Sequence, residues 1–302
     1  MKNHHFRFQT WRRRLRTVSD IFLYLLGGLI LFAFFAFCTR IFVFDQFPVP
    51  TKSMEPSIQP GDRIVVNKLL FGARIYKNLD FLEGKPLQAL RIKGWRKIKI
   101  NDILVFNAPM SEDWQHIAFD IRKVFAKRCV ALPGDTLSIV NGWYTNHRNN
   151  TPPGNMESQK SLSLTPKSSL APVILQSFPQ DTLFYPWDIK DFGPLWIPAK
   201  GKTIPMNPAQ SILYKKIMEY ETGKQVTLKG GRVYLNNTPI ENYVFQQNYY
   251  FVAGDAVLDS QDSRYFGFVP EIFIIGIAPR ILFHRDPSSN RWDWKRCLKK
   301  IY

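Results

Sequence analysis

The eighteen residues from Ile21 to Cys38 read IFLYLLGGLILFAFFAFC and contain no charged side chain. A helix of this length measures about 27 Å at about 1.5 Å per residue, close to the thickness of a bilayer core. A buried helix of a soluble protein would keep a polar face, and a cleaved signal peptide would have a shorter apolar run followed by small residues. Here Phe35 and Phe37 crowd the positions before Cys38. The stretch predicts one N-terminal transmembrane helix, over residues 19–39.

The segment before this helix, residues 1–18, is strongly basic. Six Lys and Arg side chains fall within the first sixteen residues. Basic residues flank transmembrane helices on the cytoplasmic side, where they also meet anionic lipids. The pattern predicts a single-pass protein with a cytoplasmic N-terminus, contact between that terminus and anionic lipids of the bilayer, and an exported remainder.

The net charge of the whole chain is +17. Such a charge is typical of proteins that bind nucleic acid or an anionic membrane surface. The apolar span and the lack of a helix-turn-helix region favour the membrane. No nucleic-acid partner is therefore expected.

Beyond the helix, turn residues alternate with short β-branched runs. Gly61-Asp62, Asn101-Asp102 and Gly134-Asp135 each lead into such a run, which is typical of strands joined by tight turns. We therefore predict a mainly β, antiparallel fold. Further strands are expected at 231–235, 249–252 and 274–282.

Composition divides the exported part into segments. Residues 146–229 are rich in Pro, Ser, Asn and Lys and predict an inserted subdomain, with a short helix at 212–221. The flanking segments, 40–145 and 230–285, would form the two parts of one β domain. Residues 286–302 are expected to be a basic C-terminal tail.

The residues that often bind metals are scattered. Three cysteines, Cys38, Cys129 and Cys297, make no C-x-x-C pair, so no disulfide framework is expected, and whether Cys129 pairs with Cys297 stays open. The histidines of the exported part are far apart, and the spacing of its carboxylates after residue 254 does not match a calcium loop. We expect no metal and no organic cofactor.

Three segments, in a fixed order, carry the functional signal. They are PTKSMEPSIQPGD at 50–62, KRCVALPGD at 127–135 and GDAVLDSQDSRYFGF at 254–268. Together, behind a transmembrane helix, they resemble the type I signal peptidases of bacteria, over about residues 20–145 and 230–285. The resemblance implies an antiparallel catalytic β domain of the signal-peptidase type. It also implies a serine endopeptidase of the bacterial inner (plasma) membrane, with its catalytic domain on the periplasmic or extracellular side, that removes signal peptides from exported preproteins.

Two residues are implied as the catalytic pair, Ser53 as nucleophile and Lys127 as general base. A serine hydroxyl is a weak nucleophile until a neighbouring base accepts its proton. A lysine has a pKa of about 10.4 in water and must lose roughly two to three units to act near neutrality, which burial achieves. We therefore predict that Lys127 is buried and neutral. The resemblance alone selects it over the rival bases, which are Lys52, Lys68 and Lys123.

The resemblance also implies supporting roles around this pair. The hydroxyl of Thr51 and the backbone N–H of Ser53 would stabilise the oxyanion, and Ser260 would hydrogen-bond the catalytic lysine. Two ion pairs are expected near the site, Asp255 with Arg128 and Asp262 with Arg264.

The motifs depart from the family pattern at three positions. Ala131 and Ala256 replace a Gly and an Asn, and Lys52 stands where Gly is common. Two alternative functions stay open. The altered motif at 254–260 suggests a catalytically impaired, signal-peptidase-like membrane protein that acts as a binding partner. The net charge of +17 suggests a nucleic-acid-binding protein with a related self-cleaving Ser/Lys domain.

Overall fold

The computed structural model describes residues 2–77, 87–112 and 114–301, with side chains from residue 19 onward. The chain separates into two compact units, Met1–Phe44 and Asp45–Tyr302.

The first unit is a single helix, α1, which spans Lys2–Phe42. Its part from Ser19 to Phe42 is long and apolar enough to cross a membrane, and none of that span is buried inside the protein. Backbone hydrogen bonds are satisfied within the helix, as a bilayer requires. The apolar helix predicted over 19–39 is therefore confirmed, and it extends three residues further.

The second unit is mainly β. In chain order its strands are β1 Phe44–Pro48, β2 Asp62–Asn67, β3 Arg74–Tyr76, β4 Ala89–Arg91, β5 Ile103–Asn107, β6 Val124–Ala131, β7 Thr136–Val140, β8 Trp143–Asn146, β9 Phe192–Trp196, β10 Thr203–Pro205, β11 Val226–Lys229, β12 Arg232–Leu235, β13 Thr238–Pro239, β14 Asn242–Val244, β15 Tyr249–Ala253, β16 Val269–Pro270 and β17 Ile274–His284.

Short helices connect these strands. They are α2 Lys68–Phe71, α3 Met156–Leu164, α4 Pro172–Leu175, α5 Pro208–Thr222 and α6 Ser263–Phe266, with single 3₁₀ turns at Lys167–Ser169, Glu271–Phe273 and Trp294–Arg296. The helix predicted at 212–221 is confirmed as α5. It begins earlier because Asn207 caps it by accepting a hydrogen bond from the N–H of Gln210.

The main sheet has seven strands in the order β1-β2-β17-β5-β6-β15-β16. Its pairings from β2 to β16 are all antiparallel. Every strand that the turn pattern predicted is present. Strand β6 was not predicted, because Lys127 and Arg128 interrupt its apolar run. It lies between β5 and β15, near the middle of the sheet.

The segment predicted as an insertion shares a core with the residues on either side of it. Strand β9 pairs with β7, and Leu195 and Tyr214 are buried in one hydrophobic cluster with Leu137 and Phe251. A shared core of this kind makes the segment part of one folding unit with the sheet. The predicted boundaries at 146 and 229 stay a proposal.

The C-terminal segment folds back onto the sheet. Arg296 donates two hydrogen bonds to the buried carboxylate of Asp62, at 2.9 Å from Nε and 2.5 Å from Nη2, and Nδ1 of His284 lies 2.8 Å from the same carboxylate. Cys129 and Cys297 are both free thiols. The expected basic tail thus carries a buried arginine that forms an ion pair with Asp62.

The Arg296→Gln variant is expected to lose about 2–4 kcal/mol of unfolding free energy, because the buried carboxylate of Asp62 loses its guanidinium partner and keeps only His284 and the backbone N–H of Gln59. The measurement is thermal and urea unfolding of the full chain in detergent. Arg291→Gln is the control, since Arg291 is exposed in the same segment. Equal stability of the two variants would show that the contact contributes nothing.

Candidate active site

Ser53 lies in the loop between β1 and β2, and backbone hydrogen bonds close that loop at both ends. The N–H of Val49 donates to the carbonyl of Asp62 at 2.9 Å, and the N–H of Gly61 donates to the carbonyl of Val49 at 3.0 Å. Beneath the loop, Met54 is 1% exposed. The serine is therefore held on a fixed turn over a packed core.

A second segment, after β15, holds the backbone of the serine itself. The N–H of Ala256 donates to the carbonyl of Ser53 at 3.1 Å. A Cβ atom on Gly254 would collide with that carbonyl oxygen and with the side chain of Ser260. Only a glycine lets the two segments approach this closely.

Lys127 reaches the serine from the middle of β6. It lies opposite Leu104 of β5 in the sheet register, and its Nζ is 2.5 Å from Oγ of Ser53. Successive side chains of a strand point to opposite faces, so Arg128 leaves β6 on the face opposite to that of Lys127. The sheet thus places the amine of Lys127 against the hydroxyl of Ser53, and only 4% of the surface of Lys127 is exposed.

Burial changes the protonation of this lysine. Desolvation lowers the pKa of Lys127 from 10.5 to about 8, the charge of Asp262 opposes this shift, and the charge of Arg264 adds to it. The ring of Phe125 lies 5.9 Å from Nζ and supplies part of the apolar surroundings. Lys127 therefore gives up its proton closer to neutrality than an ordinary lysine does.

The predicted ion pair between Arg128 and Asp255 is present and buried. Nε and Nη2 of Arg128 donate to the two carboxylate oxygens of Asp255, each at 2.6 Å. The same guanidinium donates to Oγ of Ser57 at 3.2 Å. One arginine therefore ties β6 to the segment after β15 and to the nucleophile loop.

The predicted pair between Asp262 and Arg264 is also present, at 2.8 and 2.7 Å. Burial would raise the pKa of Asp262, but the charge of Arg264 and the hydrogen bonds to the carboxylate hold that pKa below its usual value. Asp262 also accepts the N–H of Gly254 at 2.8 Å. The pair thus holds the segment after β15, whose residue Ala256 contacts the carbonyl of Ser53.

The structure differs for the two predicted hydroxyl groups, those of Thr51 and Ser260. Oγ1 of Thr51 lies 3.4 Å from Oγ of Ser53, on the exposed side of the serine. Ser260 is buried, but within the described ranges its hydroxyl has no hydrogen-bond partner. The expected bond from Ser260 to Lys127 is therefore not formed. Its side chain instead occupies the space beside the Cα of Gly254.

The rival bases occupy other positions. The ammonium of Lys68 lies 3.0 Å from the carboxylate of Asp45, and Lys52 and Lys123 are exposed. In the part of the chain that the structure describes, no group of three or more metal-ligating side chains could hold an ion.

A cleft of about 760 Å³ opens in front of Ser53 and Lys127. Its lining comes from five separate stretches of the chain, which is why sequence reasoning could not identify the pocket residues. Most of the lining is apolar, as suits the binding of an extended apolar peptide. The lining residues are Phe47, Pro48, Val49, Pro50, Thr51, Lys52, Ser53, Met54, Ile64, Val105, Ile121, Arg122, Val124, Phe125, Ala126, Lys127, Asp259 and Gln261.

The chain has an antiparallel β domain that follows an apolar N-terminal helix. In that domain a serine contacts a buried lysine beside an apolar cleft. These features together define a membrane-anchored serine peptidase. A profile of the family "Signal peptidase, peptidase S26" matches residues 22–186 and 241–283. The chain belongs to this signal peptidase family and is a serine endopeptidase. The unmatched stretch between these blocks, 187–240, overlaps the predicted insertion but begins later.

Individual relatives agree over most of the chain. Signal peptidase I of Buchnera aphidicola subsp. Schizaphis graminum is 27% identical over 291 residues, which cover 89% of this chain and 77% of the relative. Signal peptidase I of Haemophilus influenzae is 26% identical over 270 residues, 85% of this chain and 68% of the relative. For Pseudomonas aeruginosa the identity is 24% over 257 residues, 81% of this chain and 66% of the relative.

Burying Lys127 costs stability in a pH-dependent way. Below about pH 8 both the folded and the unfolded chain hold the proton, so the folded state carries the full cost, on the order of 3 kcal/mol. Between the folded pKa of about 8 and the unfolded value of 10.5, the unfolded chain binds more protons, so folded stability rises with pH. Lys127→Met should therefore be more stable than the wild type at pH 7.

The stability difference between Lys127→Met and wild type should shrink as pH rises from 8 towards 10. The measurement is urea unfolding of both proteins in detergent at several pH values. Lys123→Met is the control, because Lys123 is exposed and its replacement should give a difference that does not vary with pH. A pH-independent difference for Lys127→Met would contradict a buried lysine of lowered pKa.

Proposed function

We propose that this signal peptidase works through a Ser/Lys dyad, with Ser53 as nucleophile and Lys127 as general base. The observation that carries the proposal is the 2.5 Å contact between Nζ of Lys127 and Oγ of Ser53, made where burial lowers the pKa of the lysine to about 8. A serine needs an adjacent base to become nucleophilic, and such a lysine is unprotonated often enough to serve.

The reaction would proceed in two steps. In the first, Oγ of Ser53 attacks the scissile carbonyl while Lys127 accepts its proton. The lysine then gives that proton to the leaving amine, so the mature protein departs and the signal peptide stays esterified to Ser53. In the second, Lys127 accepts a proton from water, the resulting hydroxide cleaves the ester, and the serine regains its proton.

Two donors would stabilise the negative charge that forms on the carbonyl oxygen. The backbone N–H of Ser53 is one, and the hydroxyl of Thr51 is the other. Oγ1 of Thr51 lies 3.4 Å from Oγ of Ser53, near where the tetrahedral oxygen would form. Fixed donors of this kind stabilise the transition state more than the ground state.

The proposed substrates are signal peptides of exported preproteins, cut after small residues in the Ala-x-Ala style. The apolar cleft in front of Ser53 supports binding of an extended, largely apolar segment. The named relatives are signal peptidases I, which supports the same substrate class. Metal and organic cofactors have no role in the proposed mechanism.

The proposed location is the bacterial inner (plasma) membrane, with the N-terminus cytoplasmic and the catalytic domain on the periplasmic or extracellular side. The basic residues that precede the apolar span in the sequence support this orientation. They would also contact anionic lipids, and we expect no nucleic-acid partner. The departure at Ala256 gives no support to a catalytically impaired protein, because the bond from residue 256 to the carbonyl of Ser53 uses only backbone atoms.

Cleavage of a preprotein with an Ala-x-Ala site, in detergent, tests the dyad directly. Wild type should cut at the junction, whereas Ser53→Ala and Lys127→Ala should each lose at least about a thousandfold in kcat/KM, because acylation needs both groups. Lys123→Ala is the control and should match wild type. Full activity of Lys127→Ala would assign the base to another residue.

The pH dependence of kcat/KM tests the protonation of the base. Only unprotonated Lys127 can accept the serine proton. The rate should therefore fall about tenfold per pH unit below about 8 and level off above it. Stopped cleavage assays from pH 5.5 to 9.5 give the profile, with circular dichroism to verify folding at each pH. A flat profile between pH 6 and 9 would exclude a lysine that titrates near 8.

A further inference from the structure

Lys52, directly before the nucleophile, has no role in the dyad mechanism. It is exposed and lines the cleft together with Ser53. Within the described ranges it makes no ion pair with a carboxylate. An exposed lysine carries a full positive charge at neutral pH, so this charge faces whatever peptide occupies the cleft.

A second exposed cation lines the same cleft. Arg122 keeps 87% of its side chain exposed, and its Nε lies 3.3 Å from the carboxylate of Asp120. An exposed pair of this kind is weak, and a guanidinium has five N–H donors. Most of the hydrogen-bonding capacity of Arg122 is therefore left for a ligand.

The other charged groups of the cleft do not cancel these two. Lys127 is the buried base. The one carboxylate among the lining residues belongs to Asp259, so it offsets at most one of these two positive charges. Lys52 and Arg122, which we call the cationic rim, leave the cleft with an excess of positive charge at its exposed edge.

We propose that the cationic rim recognises an acidic side chain of the substrate close to the scissile bond. The inference rests on the proposed function and adds a charge preference to the small-residue rule. Apolar walls beside the rim keep field lines within the cleft, which strengthens the attraction of a carboxylate relative to bulk water. Preproteins with Asp or Glu at the recognised position would be the favoured substrates.

The geometry limits where the acidic residue can stand. The Cα atoms of Lys52 and Ser53 are about 3.8 Å apart, and an extended substrate advances about 3.3 Å per residue. A lysine side chain therefore reaches carboxylates no more than about three substrate residues from the carbonyl that Ser53 attacks. A charge further along the preprotein lies beyond the reach of Lys52.

The test is cleavage of a series of preproteins by the full chain in a neutral detergent. Asp, Asn or Lys is placed in turn at each position within three residues of the junction, apart from the two that require small residues. At one position at least, kcat/KM should be about fivefold higher for Asp than for Asn, and lower still for Lys. The preference should decline between 50 and 500 mM salt, because the rim is exposed.

Variants of the rim identify the source of the preference. The Asp/Asn ratio of kcat/KM should approach one in the double variant Lys52→Gln, Arg122→Gln. In Lys52→Glu the preference should shift towards Lys. Lys93→Gln and Lys93→Glu are the matched controls, because Lys93 is exposed outside the cleft, and both should keep the wild-type ratio.

Failure of this inference is distinct from failure of the proposed function. Equal cleavage of the Asp, Asn and Lys series at every position, or a preference that persists in the double variant, would overturn the cationic rim while the enzyme still cuts the Asn substrates. If wild type cuts no preprotein at all, the proposed function fails and the inference fails with it.

Discussion

The burial of Lys127 against Ser53 is the constraint on which the catalytic domain depends. A lysine that is 4% exposed must keep its amine near one oxygen atom, in surroundings that disfavour its charge. Strand β6 satisfies both needs because β5 and β15 flank it in the sheet, so its backbone cannot shift. Desolvation of the Lys127 ammonium lowers the stability of the fold. The same desolvation lowers the pKa of Lys127 towards neutrality and so makes the lysine a better base.

The nucleophile loop is held from three directions, and each uses a buried or backbone contact. Ala256 binds the carbonyl of Ser53, Arg128 reaches Ser57, and Arg296 binds Asp62 at the end of the loop. These partners lie far apart in the sequence. The catalytic geometry is therefore a property of the whole β domain, including its C-terminal segment, because all three supports act on the loop that carries Ser53.

Sequence reasoning predicted the elements with local signals. Turn residues followed by β-branched runs gave the strands around Ile64, Leu104 and Ile139, and the ordered motifs predicted the Arg128–Asp255 and Asp262–Arg264 pairs, which are present. Strand β6 was missed because its function places two charged residues inside a buried strand, against the usual hydrophobic pattern. The contact between Arg296 and Asp62, 234 residues apart, has no local signal, and the hydrogen-bonding of Ser260 depends on side-chain packing that no motif records.

The partners of the buried cations separate those with a structural role from the one proposed as the catalytic base. Arg128, Arg264 and Arg296 each face a carboxylate at 2.7 Å or less, and Lys190 donates to two backbone carbonyls. Lys127 instead meets a neutral hydroxyl, and within the described ranges no carboxylate forms an ion pair with it. A buried charge that lacks a matching charge is costly unless it can lose its proton. An arginine stays protonated in proteins, whereas a buried lysine can lose its proton. The position beside Ser53, which has no carboxylate partner, therefore requires lysine, and the neutral lysine can act as a base for the serine hydroxyl.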